Sequence, residues 1–269
     1  LGIENKIKIK YINYYNEEQI KNLIIKSNCN EIYFFGGQPI PSISNELGLE
    51  TLNSNIIPVF YVLNTIFKYK KNIKFFNASS CEIFKSSKFS LNENSKKEPN
   101  TIYGLSKLIS FELVKFFREK FNLKVCSGIM FQHESVLRKK DFVIQKIVTT
   151  AKKIKLGKKK KLYLGNLNVI KDWGWAPEYV QAIHKIVQEN RLDDFIIATG
   201  KSVKLKDLAK KIFLKYDLNP EKYIRTDKKL FRKNEILISK SNINKIRRII
   251  NWKPKFFINE IISKLINEK

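Results

Sequence analysis

Short runs of β-forming apolar residues alternate along this chain with longer stretches whose apolar positions recur every three or four residues, which reads as strand and helix in turn. Ile7-Lys8-Ile9-Lys10-Tyr11-Ile12 alternates apolar and polar as a strand with one buried face does. Asn16, followed by Glu17-Glu18-Gln19, opens a helix with Ile20, Leu23 and Ile24 on its apolar face and Asn16 as its cap. Glu31-Ile32-Tyr33-Phe34-Phe35 is a second strand, mostly apolar as parallel strands are, and it stops at Gly36-Gly37-Gln38. Those glycines fit an ordinary turn, and they equally let a backbone approach a phosphate or ribose closely. A helix over 56–69, a strand at Ile73-Lys74-Phe75-Phe76, a helix over 102–121 and a strand over 125–130 continue the pattern. Beyond them come a helix over 142–154, a short strand at 162–164, a helix beginning within 171–180, a strand over 195–200 and helices over 205–216, 242–249 and 257–266. Strand and helix in turn predict an α/β fold with a doubly wound parallel sheet.

The candidate chemistry lies in residues 73–107, IKFFNASSCEIFKSSKFSLNENSKKEPNTIYGLSK. Its strand stops at Asn77-Ala78-Ser79-Ser80, so the hydroxyls and Glu82 fall at a strand's C-terminal end, where open α/β sheets put their sites. Tyr103 and Lys107 are four apart at the start of a helix and share one face. A close ammonium favours a phenolate, so Lys107 is expected to lower the Tyr103 pKa and make it a base. Ser80 is placed to hydrogen-bond a substrate oxygen, and Glu82 to act as a second acid or base. Tyr-x-x-x-Lys alone is a common spacing, and an exposed helix turn accounts for it equally; the Ser-Ser-Cys-Glu run upstream changes that balance.

Composition narrows the reading. A chain of 269 residues with 43% hydrophobic content can bury one large α/β core with a smaller appendage. The 52 Lys plus Arg against 25 Asp plus Glu give +27, but the lysines are scattered through every segment beside Asn and Ile. That is a usage bias giving a solvated basic surface, with no aromatic-basic motif of a nucleic-acid binder. Cys29, Cys81 and Cys126 are far apart, which argues against a disulfide framework or a zinc site and fits a reducing cytoplasm. The longest apolar run, Ile56 to Phe67, holds Pro58 and Asn64 and is too short to span a bilayer, and no signal peptide precedes it, so a soluble protein is expected. His133, one of two histidines, directly follows a strand, a place that suits a structural hydrogen bonder or a catalyst.

The segment 73–107 resembles the catalytic segment of extended short-chain dehydrogenase/reductases, the nucleotide-sugar epimerases and dehydratases. Phe131-Gln132-His133-Glu134-Ser135 through Arg138, Phe142-Val143 and Lys146-Ile147 is similar to the Phe-Asn-His-Glu-Ser-Pro-Arg-Arg pattern of the GDP-mannose 4,6-dehydratase family. Leu162 to Asn166, Lys171-Asp172-Trp173-Gly174, Phe195 to Gly200, Phe231-Arg232 with Glu235, and Trp252-Lys253-Pro254 match in the same order. The resemblance implies a Rossmann-type NADP-binding domain at 1–130 and 168–200 and a smaller, mainly helical GDP-sugar-binding domain at 131–167 and 201–269. It implies a lyase that acts on GDP-mannose through an internal redox cycle on NADP, and a homo-oligomer. By the same resemblance Ser80, Glu82, Tyr103 and Lys107 are catalytic. Asn13, Tyr14, Phe35, Gly36, Gly37, Gln38, His133 and Arg138 join Tyr103 and Lys107 at the cofactor. Ser44, Gln132, Val143, Lys146, Leu164, Gly165, Asn166, Lys171, Arg232 and Glu235 are assigned to the GDP-sugar.

The chain departs from the family pattern at several points. Ser80 stands for Thr, Gln132 for Asn, Lys171 for an Arg, Asn13-Tyr14 for Asp-Leu, and Pro39-Ile40-Pro41 for Ser-His-Val. The Gly-x-x-Gly-x-x-Gly signature is absent and the sequence begins at Leu1. The resemblance therefore implies an N-terminally incomplete sheet, short of a βαβ unit of on the order of 30 residues. On that ground the 269 residues alone are expected not to turn over GDP-mannose, and a version with strand, glycine loop and helix restored is expected to do so. Another nucleotide-sugar epimerase or dehydratase, and a catalytically silent GDP-sugar-binding remnant, stay open at this point. Glu82 separates dehydratase from epimerase, because taking a proton from C5 needs a base there.

Overall fold

A computed structural model describes residues 2–69 and 72–267. In chain order its first half holds α1 (Glu17–Ser27), β1 (Glu31–Phe34), α2 (Gly48–Tyr69), β2 (Lys74–Ser80), α3 (Ile102–Phe121), β3 (Val125–Met130), β4 (Gln132–Glu134) and α4 (Val143–Lys155). The second half holds β5 (Leu162–Leu164), β6 (Ile170–Trp175), α5 (Ala176–Gln188), β7 (Phe195–Ile197), β8 (Ser202–Lys204), α6 (Leu205–Leu214), α7 (Pro220–Tyr223), β9 (Ile224–Thr226), β10 (Ile238–Ser239), α8 (Asn244–Ile249) and α9 (Ile258–Asn267).

The strands pair parallel in the order β1-β2-β3-β7, with helices between them in the chain, so the fold is α/β and Rossmann-like. A second parallel set, β10-β6-β4, carries β8 antiparallel on β6, and β5 pairs with β9. The β2 strand can be buried along six of its seven residues because both its neighbours are parallel strands with helices packed over them. Phe75 on one face joins Val59, Leu63, Ile66 and Val114 from α2 and α3, while Phe76 packs toward Ile186 and Ile183 of α5 on the other. A third apolar cluster, from α4, α6, α9 and the strands β5 and β6, fills the second unit. No described helix is long and apolar enough to cross a membrane.

Asn16 caps α1 as its position predicts, its side-chain oxygen accepting from the Gln19 N–H at 3.0 Å. Two expectations are corrected. Residues 7–12 form no strand; Ile7, Ile9 and Tyr11 are 53%, 57% and 95% exposed. Alternation makes a strand only where a neighbour supplies backbone partners, and among the described residues β1 pairs with β2 alone. The helix expected to begin within 171–180 does begin there, but residues 171–175, read as part of it, belong to strand β6. Lys171 pairs with Ser239 on one side and Val203 on the other, so the ladder claims it. Helix α5 starts only at Ala176, with Pro177 in the first turn, where its missing N–H costs nothing.

Candidate active site

At the end of β2 the backbone turns through a short 3-10 segment, Cys81–Ile83, and the Ser80 hydroxyl oxygen accepts the Glu82 N–H at 3.2 Å. The Ser80 proton is thus left to donate elsewhere. Helix α3 starts beside this turn because Thr101 caps it, its Oγ1 accepting from the Gly104 N–H at 3.0 Å. Gly104 lets the two meet: a Cβ there would lie 2.4 Å from the Glu82 carbonyl oxygen and 2.9 Å from Pro99. Tyr103 is thereby set against Ser80 and Glu82, close enough for the Ser80 hydroxyl to interact with its phenol.

Burial raises the Tyr103 pKa, with the Glu82 charge adding to the rise and Ser80 opposing it. That corrects the expected sign, since Lys107 does not lower it. Lys107 sits one turn on, buried, its Nζ 5.8 Å from the centre of the Tyr103 ring. Burial pulls Lys107 itself down to about 8. On β4, the His133 ring holds its Nδ1 2.9 Å from the Phe131 carbonyl oxygen, which has no proton, so Nδ1 carries the hydrogen and Nε2 is an acceptor. Burial lowers His133 to about 4, and it is neutral at ordinary pH.

Ser80, Glu82, Tyr103 and His133 open on a cavity of about 460 Å³, within the usual range for small-molecule sites, whereas Lys107, expected among them, does not line it. Its walls bring together Ser80, Glu82 and Tyr103 with His133 and Arg138, and with Gln132, Val143, Lys146, Leu164, Gly165, Asn166, Lys171, Arg232 and Glu235. Residues far apart along the chain thus meet in one cavity. Glu82 and Lys171 form an ion pair at 3.9 Å. Burial raises the Glu235 carboxyl, against the pull of the Lys171 and Arg232 cations, and Glu82 adds to the rise. Burial and the neighbouring Lys159 charge lower Lys146. The Arg138 guanidinium lies 3.8 Å over the Phe142 ring and 3.9 Å from Glu134.

Other expected residues lie elsewhere. Ser44 is buried outside the cavity with its hydroxyl donating to the Pro41 carbonyl at 2.8 Å, so a turn, and not a ligand, satisfies it. Phe35, Gly36, Gly37 and Gln38 do not line the cavity, although Pro39 to Ser42 next to them do. The loop is latched to α2 through Gln38 N–H to Ser54 Oγ (3.0 Å) and Asn55 Nδ2 to the Gln38 carbonyl (3.2 Å), with Gly37 at φ 107° against Asn55. Asn13 and Tyr14 are exposed; Asn13 accepts the Tyr15 N–H at 3.0 Å and Tyr14 stacks on Tyr15 at 4.4 Å. The sequence reading missed Ser79, Cys81 and Trp173, all of which line the cavity. Trp173 was within reach, since it lies two residues from Lys171 on one strand and hence on the same face.

The model of the GDP-mannose 4,6 dehydratase family matches residues 1–265. The chain belongs to that family. GDP-mannose 4,6 dehydratase 1 of Arabidopsis thaliana is 27% identical over 266 residues, covering 97% of this chain and 74% of the plant protein. Among solved structures, dTDP-glucose 4,6-dehydratase from Streptomyces venezuelae with NAD and TYD bound superposes with a TM-score of 0.87 at 15% identity, over 99% of this chain and 80% of that one. RMD from Pseudomonas aeruginosa in complex with NADPH gives 0.86 at 15% identity, over 96% and 87%. At such identities the likeness speaks for the fold.

Proposed function

We propose that this protein is a GDP-mannose 4,6-dehydratase, converting GDP-mannose to GDP-4-keto-6-deoxymannose on bound NADP. The observation that carries the reading is Glu82 beside Ser80 and Tyr103 in one cavity that also gathers Lys146 and Arg232. The cofactor fits what the chain offers: Ser79 Oγ and Gln132 Oε1 are buried with no hydrogen-bond partner, Lys107 is a buried ammonium, and His133 presents an acceptor. Ribose hydroxyls and a carboxamide would satisfy such groups. Residues 1–130 and 168–200 would hold the cofactor, and 131–167 and 201–269 the GDP-sugar.

Held by Tyr103, Lys107, His133 and Arg138, NADP would supply a reversible hydride acceptor for the sugar. The chain handles the protons. Ser80 donates to the sugar O4, and Tyr103 takes the proton that leaves it. Burial keeps Tyr103 protonated, and the groups that oppose it and favour the phenolate are the Ser80 hydroxyl and the Arg138 cation. A carbonyl at C4 acidifies C5, so Glu82 would remove the C5 proton and pass it to the C6 hydroxyl, which leaves as water as the C6–O bond breaks, and the proton that Tyr103 took from O4 would be returned to C5. Lys146 and Arg232 would meet the diphosphate, with neutral His133 and Arg138 on the cofactor side.

Titration of the full-length protein with GDP-mannose and with a UDP-sugar tests this reading, together with detection of the 4-keto-6-deoxy product. Preference for GDP-mannose and release of that product are expected. A clear preference for the UDP-sugar would move the protein to another nucleotide-sugar reaction.

A further inference from the structure

Lys171 sits in the cavity where the resemblance puts a phosphate ligand, yet its charge faces carboxylates. Its Nζ is 3.9 Å from Glu82 Oε1, with the two side chains only 9% and 12% exposed. Glu235 feels the same ammonium together with the Arg232 cation, so two cations and two acids share this wall of the cavity. The backbone fixes this arrangement from both ends. Lys171 is in register with Ser239 of β10, while the segment after Glu82 is tied to the same strand by Ser87 N–H to the Ile238 carbonyl and Ile238 N–H to Ser86 Oγ, both 3.0 Å. At 3.9 Å the pair has no direct hydrogen bond, which leaves the carboxylate lone pairs free to accept a proton. Lys146 is placed differently, since the charge it feels is that of another ammonium, Lys159.

Building on the dehydratase reading above, we propose that Lys171 is a positioning residue for Glu82, holding the carboxylate toward C5 of the sugar, and is not a ligand of the diphosphate. Without it, Glu82 loses its ion-pair partner while the Glu235 charge stays near, and Glu82 turns away.

The experiment compares wild type, Lys171→Met, Lys171→Arg and Glu82→Gln in the full-length protein. The expected result for Lys171→Met is a fall in kcat of about a hundred-fold or more, within the usual range for losing acid–base catalysis, with the GDP-mannose Kd within about three-fold of wild type. Solvent deuterium incorporation at C5 falls in step with kcat, and Lys171→Arg recovers part of both. A rise in Kd of about ten-fold with kcat kept would make Lys171 a diphosphate ligand and overturn the proposal. A double-mutant cycle in thermal unfolding, Glu82→Gln against Lys171→Met, reads the pairing with no turnover at all. Coupled effects are expected, and strictly additive ones would refute the pairing. An inactive wild type would sink the dehydratase reading, while the cycle still decides whether Lys171 holds Glu82.

Discussion

The two ends of the cavity handle charge in opposite ways. Around Tyr103, Lys107 and His133 burial dominates: the phenol is pushed up, the ammonium down to about 8 and the imidazole down to about 4. Around Glu82, Lys171, Glu235 and Arg232 opposite charges stand within reach of one another, and pairing offsets the cost of enclosure. The first end is suited to moving protons, because burial holds the phenol and the imidazole neutral and brings the Lys107 ammonium within reach of losing its proton. The second is suited to holding an anionic ligand and one working base. A single burial gradient could not serve both purposes, and the fold separates them by taking one from the β2–α3 corner and the other from β6 and the segment before β10.

The contrast can be broken from either side. The largest effect is expected from Tyr103→Phe, which removes the proton acceptor and should lower kcat about 10³-fold while the GDP-mannose Kd stays within a few-fold. Equal losses in kcat and affinity would show that the ring serves binding. Next comes Lys107→Met. Lys107 is at about 8 in the folded chain against an ordinary 10.5, so below pH 8 the folded state carries the full cost of a buried ammonium. Between pH 8 and 10.5 the unfolded chain holds the extra proton and stability rises with pH. Denaturant titration should therefore find Lys107→Met more stable than wild type by about 3 kcal/mol at neutral pH, with the gap closing as pH rises through that window. An unchanged gap at high pH would mean the ammonium is not desolvated.

Gly104→Ala attacks the corner where the ends meet. A methyl group 2.4 Å from the Glu82 carbonyl must push α3 away from the turn, and a loss of about 2 kcal/mol with a matching drop in kcat is expected from calorimetry and steady-state rates. The smallest effect belongs to the charged end, where Arg232→Ala should raise the GDP-mannose Kd about ten-fold and leave the pH profile of kcat in place.

The sequence made the site's membership legible but not its electrostatics. Ser80, Glu82 and Tyr103 could be read because a strand end, a short turn and a capped helix are local events with local signals. Lys146, Asn166 and Arg232 could be reached only through the family pattern, since nothing in their own neighbourhoods requires them to meet. The sign of the Tyr103 shift was not legible, because it depends on how much protein encloses the ring, and spacing carries no measure of that. Residues 7–12 show the same limit in the backbone, where a good strand pattern formed none for want of a neighbour. Ser44 shows it for a side chain, its hydroxyl being satisfied three residues back at Pro41.

Strand β10 is only two residues long, yet it lies between the segment that follows the base and the strand that carries its partner cation. Arg232 and Glu235 lie just upstream in the same connection and line the cavity. A ligand that pulls on those side chains therefore pulls on the ladder that aims Glu82. Remote binding energy is thereby transmitted to the reacting carbon, in the sense that parts of a substrate far from the chemistry can raise its rate as well as its affinity. A sugar phosphate lacking the nucleoside would forfeit alignment along with grip.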